Sequence, residues 1–166
     1  MNAEFLLRKI AGALAKAGLE AVLIGNAGAA LQGAPVTTVD LDFMFRKTPV
    51  NLRKLKALAR ELDAYILKPY YPLSGLYRVV NDNAGMQLDF MSNLHGIKSF
   101  ASLRAKADVM NFGEFSLMVA SLDSIIKSKR AADRPRDKAV LEILEKTLDE
   151  KEKQQKRASP TTKKRK

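Results

Sequence analysis

A chain of 166 residues is long enough for one domain with a proper core and short for two. It has no cysteine, which excludes disulfides, zinc–thiolate sites and thiol catalysis, and its single histidine, His95, leaves little room for a multi-histidine metal cluster or an imidazole-based triad. The net charge of +11 is uneven: residues 151–166 hold eight Lys or Arg against one acid, leaving 21 bases and 17 acids on residues 1–150.

In chain order, Phe5, Leu6, Ile10, Ala13, Leu14 and Ala17 follow helical spacing, and Gly18 ends that helix. Residues 21–24 read as a short buried strand. The small residues from Ala27 to Leu31 suit a helix packed closely beneath the turn. Residues 39–45 form a second strand. Pro49 then opens a helix with Leu52, Leu55, Leu58 and Leu62 along one stripe and Arg53, Lys54, Lys56 and Arg60 outside it. Residues 65–67 read as a third strand, before a proline-rich crossing from Pro69 to Pro72 that carries Tyr70 and Tyr71. Residues 77–81 and 86–91 flank Asp82-Asn83-Ala84-Gly85, which is hairpin chemistry. A second hairpin around Asn111-Phe112-Gly113 joins residues 107–110 to 115–119, and two helices over 122–131 and 137–150, separated by Arg134-Pro135, close the fold.

These elements predict an α/β (α+β) domain over residues 1–150, with a mixed sheet of about five or six strands flanked by helices. Residues 151–166 lack an apolar period and are expected to be a disordered basic tail, able to hold polyanions by counterion release. No apolar run approaches the roughly 20 residues that span a bilayer. The start, Met1-Asn2-Ala3-Glu4, is not a basic segment leading into an apolar stretch, so a cytoplasmic protein is expected.

The chemistry concentrates between Gly25 and Asp42. In a strand, positions i and i+2 point the same way, so Asp40 and Asp42 should project from one face while Val39, Leu41 and Phe43 pack on the other. Two such carboxylates repel unless a cation sits between them. In the later strand Met86-Gln87-Leu88-Asp89-Phe90-Met91, Asp89 shares a face with Gln87. Beside the strand over 39–45, it would complete a three-carboxylate cluster. Hard oxygen ligands of this kind suit Mg²⁺ or Mn²⁺, and the third acid can hold a second metal or take a proton from an attacking hydroxyl. Upstream, Gly25-Asn26 opens the small-residue helix, where backbone N–H groups favour phosphate. A phosphate cradle followed by a strand-borne acid pair points to metal-assisted nucleotidyl transfer.

This pattern resembles the polymerase-beta-like nucleotidyltransferase superfamily and, within it, the bacterial abortive-infection AbiEii and MenT types and their uncharacterised relatives. The positions that match are Gly25, Gly33, Thr38, Asp40 and Asp42, and Lys129-Arg130-Ala131-Ala132-Asp133-Arg134-Pro135-Arg136-Asp137 resembles a later element of the same proteins. The resemblance implies an Mg²⁺-dependent enzyme that moves NMP from an NTP to RNA, tRNA included, or to a protein side chain. Asp40, Asp42 and Asp89 would be its catalytic and metal-binding residues. Gly25, Asn26, Thr38, Lys129 and Arg134 would hold the nucleotide, with Asp137 in support. It also implies a toxin-like role with a cognate antitoxin, and the basic tail favours RNA as the acceptor.

Three positions depart from the pattern: Asn26 for Gly or Ser, Gln32 for His, and Val36 where Arg is common. They keep two rivals open. One is a degenerate domain that binds nucleotide or RNA without turnover. The other is an antibiotic-modifying nucleotidyltransferase, which needs an acidic pocket for a cationic drug. His95 is read as a loop residue without catalytic duty, and Tyr70, Tyr71 and Tyr77 as core or rim packing in preference to a base-stacking platform.

Overall fold

The computed structural model describes residues 2–67 and 75–159. The proline-rich crossing with Tyr70 and Tyr71 lies outside them. Seven strands build one mixed sheet: β1 (Val22–Ile24), β2 (Leu41–Met44), β3 (Tyr65–Leu67), β4 (Leu76–Asn81), β5 (Met86–Met91), β6 (Asp108–Phe112) and β7 (Phe115–Val119), in the order β3-β4-β5-β2-β1-β7-β6. The count exceeds the expected five or six because the three-residue β3 pairs with β4 and both strands of the second hairpin join β1 through β7. The first hairpin forms around residues 82–85, and its register sets Asn81 opposite Met86 and Arg78 opposite Asp89.

Alternation along the strands sorts the core into two layers. Leu23, Phe43, Leu88 and Phe90 pack against Ile10 and Leu14 of α1 (Ala3–Ala17) and Leu55, Leu58 and Leu62 in and after α3 (Pro49–Glu61). Phe43 and Phe90 stack at 5.1 Å between ring centroids. Tyr77 belongs to this layer, edge-on to Phe45, as core packing predicts. On the opposite face, Val22, Ile24 and Met44 meet Ala29 of α2 (Gly25–Leu31), Leu103 of α4 (Phe100–Ala105), Ile125 of α5 (Leu122–Ala132) and Leu144 of α6 (Pro135–Ala158). Each fully buried Leu or Phe contributes about 1.5–3 kcal/mol of transfer free energy to these layers.

Three elements differ from expectation. β2 begins at Leu41, not at Val39, which is 93% exposed. The Thr38 hydroxyl donates to the Asp40 carbonyl and accepts from the Asp40 N–H, closing a local turn before the ladder starts. Asp40 therefore precedes the strand, and the alternation rule does not apply to it. Helix α4 follows Ser99, whose side chain makes a reciprocal capping box with Ser102. Helix α6 continues through Ala158, past the boundary expected at residue 150. Lys146–Glu142 and Lys153–Asp149 pairs at i,i+4 support it along its length, and Lys151 Nζ donates to Gln32 Oε1 at 2.7 Å, tying it to the domain. Residues 160–166 lie outside the described residues.

Candidate active site

On the α5–α6 face of the sheet lies an open cavity of about 550 Å³. Its walls come from the β1–α2 turn, the segment from Thr38 to Asp42, β4, β5, the loop carrying His95, and the α5–α6 junction. All eight residues expected to form the site line it: Gly25, Asn26, Thr38, Asp40, Asp42, Asp89, Lys129 and Arg134.

Asp42 is the centre of the acidic side. It stands opposite Ile24 on β1 and opposite Asp89 on the parallel neighbour β5. Registered neighbours share a face, so both carboxylates look into the cavity. Burial pushes the Asp42 carboxyl above its ordinary 3.8; Asp89 and then Asp40 push it further, while Lys129 and Arg136 pull it back. Burial is the largest cause of this upward shift, and the neighbouring carboxylates add to it. Gly25 makes the close approach possible. Its φ is +65°, and a Cβ on it would lie 2.8 Å from Asp42 Oδ2. Beside it, the Asn26 side-chain oxygen is buried and accepts no hydrogen bond.

Asp89 is engaged differently from the expected open cluster. Arg78 spans its carboxylate, with Nε 2.8 Å from Oδ1 and an Nη 3.1 Å from Oδ2. Among the described residues, no three His, Cys, Asp or Glu side chains converge closely enough to hold a metal ion. The three acids thus differ in their surroundings: Asp89 is clamped by a guanidinium beside Asp42, while Asp40 and Asp42 have no ion-pair partner among the described residues. Two carboxylates still fit Mg²⁺ or Mn²⁺, because Mg²⁺ commonly takes one or two carboxylates and completes its shell with substrate phosphates and water. The all-oxygen donor set of Asp40 and Asp42, neither in an ion pair among the described residues, matches a hard cation.

Across the cavity is a basic junction. Asp137, 1% exposed at the start of α6, accepts from Arg134 Nε at 2.7 Å and lies 3.5 Å from Lys129 Nζ. Burial pushes the Asp137 carboxyl up, but the hydrogen bond and charge of Arg134, helped by Lys129, outweigh it and leave it below the ordinary carboxylate range. For Lys129 the balance falls the other way. Burial lowers its ammonium more than Asp137 raises it. Asp133 closes α5 in the left-handed conformation, and Pro135 starts α6 one residue after Arg134, so the turn delivers all three groups to one spot. Asp137 supports Lys129 here, as the resemblance implied.

Sequence reasoning missed two arginines. Arg78 was legible by counting back from the hairpin turn to the residue opposite Asp89. Arg136 lines the cavity and acts on Asp42; its only signal was its place between Arg134 and Asp137.

The family described as nucleotidyl transferase of unknown function (DUF2204) matches residues 4–162. The chain belongs to this family. None of the curated proteins matches it in sequence. Among solved structures, the antibiotic-resistance factor ANT(2'')-Ia is similar at a TM-score of 0.60 and 14% identity, over 87% of this chain and 83% of that one. The lincosamide antibiotic adenylyltransferase LnuA is similar at 0.60 and 12%, over 87% and 96%. TM1012 from Thermotoga maritima, named as a candidate nucleotidyltransferase, is similar at 0.56 and 19%, over 87% and 91%. At these identities the likeness is one of fold. The nucleotidyltransferase fold thus accounts for the chain from α1 to the end of α6, including the helix that runs past residue 150. Among the described residues, no helix is long and apolar enough to cross a membrane.

Proposed function

We propose that this nucleotidyltransferase moves NMP from an NTP to a hydroxyl of RNA or of a protein side chain, at the cavity between Asp42 and the Lys129–Arg134–Asp137 junction. One observation carries the reading: Asp42 and Asp89, side by side on β2 and β5, face a buried, carboxylate-anchored lysine across a cavity of about 550 Å³. Asp40 and Asp42 would hold Mg²⁺ or Mn²⁺, with Thr38 fixing the turn that presents Asp40. When bound, the ion would neutralise triphosphate charge and polarise the phosphoryl oxygens.

The remaining work falls to the chain's own groups. Gly25 and Asn26 receive phosphate at the head of α2. Asp89, oriented by Arg78, takes the proton from the acceptor hydroxyl as its oxygen bonds to the α-phosphorus. The bond from the α-phosphorus to the bridging oxygen breaks, and pyrophosphate leaves with its charge offset by Lys129 and Arg134. Of the four acids lining the cavity, Asp89 is paired with Arg78 and Asp137 with Arg134 and Lys129. Asp40 and Asp42 belong to the metal, so no carboxylate remains to recognise a polycationic drug. That favours RNA or protein over a cationic antibiotic as acceptor. The toxin-like role with a cognate antitoxin follows from the sequence resemblance to the AbiEii and MenT types.

Incubation of wild type and Asp42→Asn with Mg²⁺, each α-labelled NTP and a cell extract tests this. Label in the RNA or protein fraction from wild type alone is expected. Absence of label with all four NTPs, while nucleotide still binds, would replace this reading with that of a non-catalytic binder.

A further inference from the structure

The basic surplus of the folded body has a specific address. Helices α1 and α3 together carry seven bases and two acids, a surplus of five. Residues 1–158, to the end of α6, carry 25 bases and 18 acids, so the body outside these two helices holds 18 bases and 16 acids. Most of the positive excess of the folded body lies on this one layer. Both helices cover the sheet face opposite the cavity, because they pack on Leu23, Phe43 and Phe90 while Asp42 and Asp89 point the other way.

The contrast with the other layer is in pairing. On α5 and α6, six of ten cations (Lys127, Lys129, Arg130, Lys138, Lys146 and Lys153) have a carboxylate partner, and Arg136, Lys151, Lys156 and Arg157 have none among the described residues. On α1 and α3, Arg8 is paired with Glu114 and Lys16 with Glu61. Lys9, Arg53, Lys54, Lys56 and Arg60 have no carboxylate partner among the described residues. Arg53, Lys56 and Arg60 are spaced i, i+3 and i+7, so they form one exposed row about 10 Å long. Alongside α1 runs a groove of about 370 Å³ lined by Phe5, Lys9, Lys16 and Phe115. Phe5 is 60% exposed at this groove, and the Phe115 ring lies over Gly12, where a Cβ would come within 2.9 Å of it. Gly12 thus keeps the groove floor open to an aromatic ring.

We propose that the α1–α3 layer is a docking surface for single-stranded RNA, with the phosphate backbone along Arg53, Lys56 and Arg60 and a base stacked on Phe5. An unpaired cation row and an exposed aromatic on one layer are features that single-stranded nucleic acid recognises. A membrane would need a broad apolar face opposite the cations, and the outer row of α3 is charged. The inference deepens the reading of RNA as acceptor and places RNA capture across the sheet from the chemistry, on the folded body and not on the C-terminal basic run. It can fail or stand independently of nucleotidyl transfer, because binding is read without nucleotide.

The test uses the full-length protein and a fluorescein-labelled, mixed-sequence 20-nucleotide RNA, followed by anisotropy at several salt concentrations. Three variants are compared: Arg53→Gln/Lys56→Gln/Arg60→Gln, Phe5→Ala, and Lys163→Ser/Lys164→Ser/Arg165→Ser/Lys166→Ser. Thermal melts and ATP binding at the cavity verify that each variant is folded and that its nucleotide site is intact. The triple α3 variant should lose at least tenfold in affinity at about 0.1 M salt, and its log–log salt slope should fall by about two. Phe5→Ala should lose about fivefold or more. The C-terminal variant should change affinity less than the α3 variant. Wild-type affinity and slope in the α3 variant would overturn the proposal, as would a loss confined to the C-terminal variant. Poly-glutamate of equal charge, binding as tightly as RNA and indifferent to Phe5→Ala, would overturn it in favour of a protein partner.

Discussion

Gly25→Ala isolates the geometry on which the acid pair depends. The substitution forces an L side chain into φ +65°, where the left-handed region costs roughly 1–2 kcal/mol. It also places a methyl carbon 2.8 Å from Asp42 Oδ2, closer than real contacts allow, so the carboxylate has to swing away. Alanine's usual gain from a less flexible unfolded chain, about 0.4–1 kcal/mol, applies only where the native backbone suits it, and here it does not. The net loss is about 1–2 kcal/mol, or roughly 2–8 °C in Tm for a domain of this size. The effect on transfer should be larger. Displacing a ligating carboxylate by about an ångström costs on the order of a hundredfold in rate. Differential scanning fluorimetry without metal and label-transfer rates with Mg²⁺ read the two effects separately. A variant that melts within about 1 °C of wild type and transfers label at the same rate would refute the claim that Gly25 exists to admit Asp42.

Three further outcomes follow from the same contacts. Asp42→Asn should raise the Tm of the metal-free protein at neutral pH, because the folded state lifts this carboxyl above 3.8 and its ionised form opposes folding. The sign is that stability is greatest with Asp42 protonated and declines as pH rises from 3.8 through the raised folded value; a melt series with the same pH slope in wild type and variant would contradict it. Asp137→Ala should cost about 3–5 kcal/mol, since it strands Lys129, whose side chain is only 12% exposed, and chemical denaturation measures the loss. Lys151→Ala should cost about 1 kcal/mol by releasing Gln32 Oε1, with faster amide exchange in the last turns of α6 and unchanged exchange in α5.

Much of this architecture was readable from periodicity and turn chemistry. The α1 and α3 stripes and the Asp82–Gly85 hairpin follow from local rules, because each depends on residues a few positions apart, whereas Asp42 meets Asp89 through the long-range parallel pairing of β2 with β5. Asp40 escaped those rules, since a threonine hydroxyl two residues earlier captures its backbone before the ladder begins. Arg78 is a case of register: the hairpin fixes which residue faces Asp89, so the guanidinium was implied by the turn length. Helix α4 is only six residues long and shows itself mainly through its serine capping box. The extent of α6 depended on a tertiary contact. Lys151 reaches Gln32, whose Nε2 in turn donates to Asp108 Oδ2 and the Ala120 carbonyl, and no local pattern encodes that bond. The same network accommodates the buried Gln32. Its side chain is consumed in holding α2, the β6–β7 hairpin and α6 together, and it is 4% exposed.

The central claim is that an NMP unit, and not a phosphoryl group, leaves the NTP at the Asp42 cavity. Parallel reactions with α-labelled and γ-labelled NTP, RNA and Mg²⁺ test it most directly. The account predicts α-label in the acceptor, γ-label released as pyrophosphate, and loss of both in Asp42→Asn. γ-Label on the acceptor, or transfer that persists in Asp42→Asn, would contradict it.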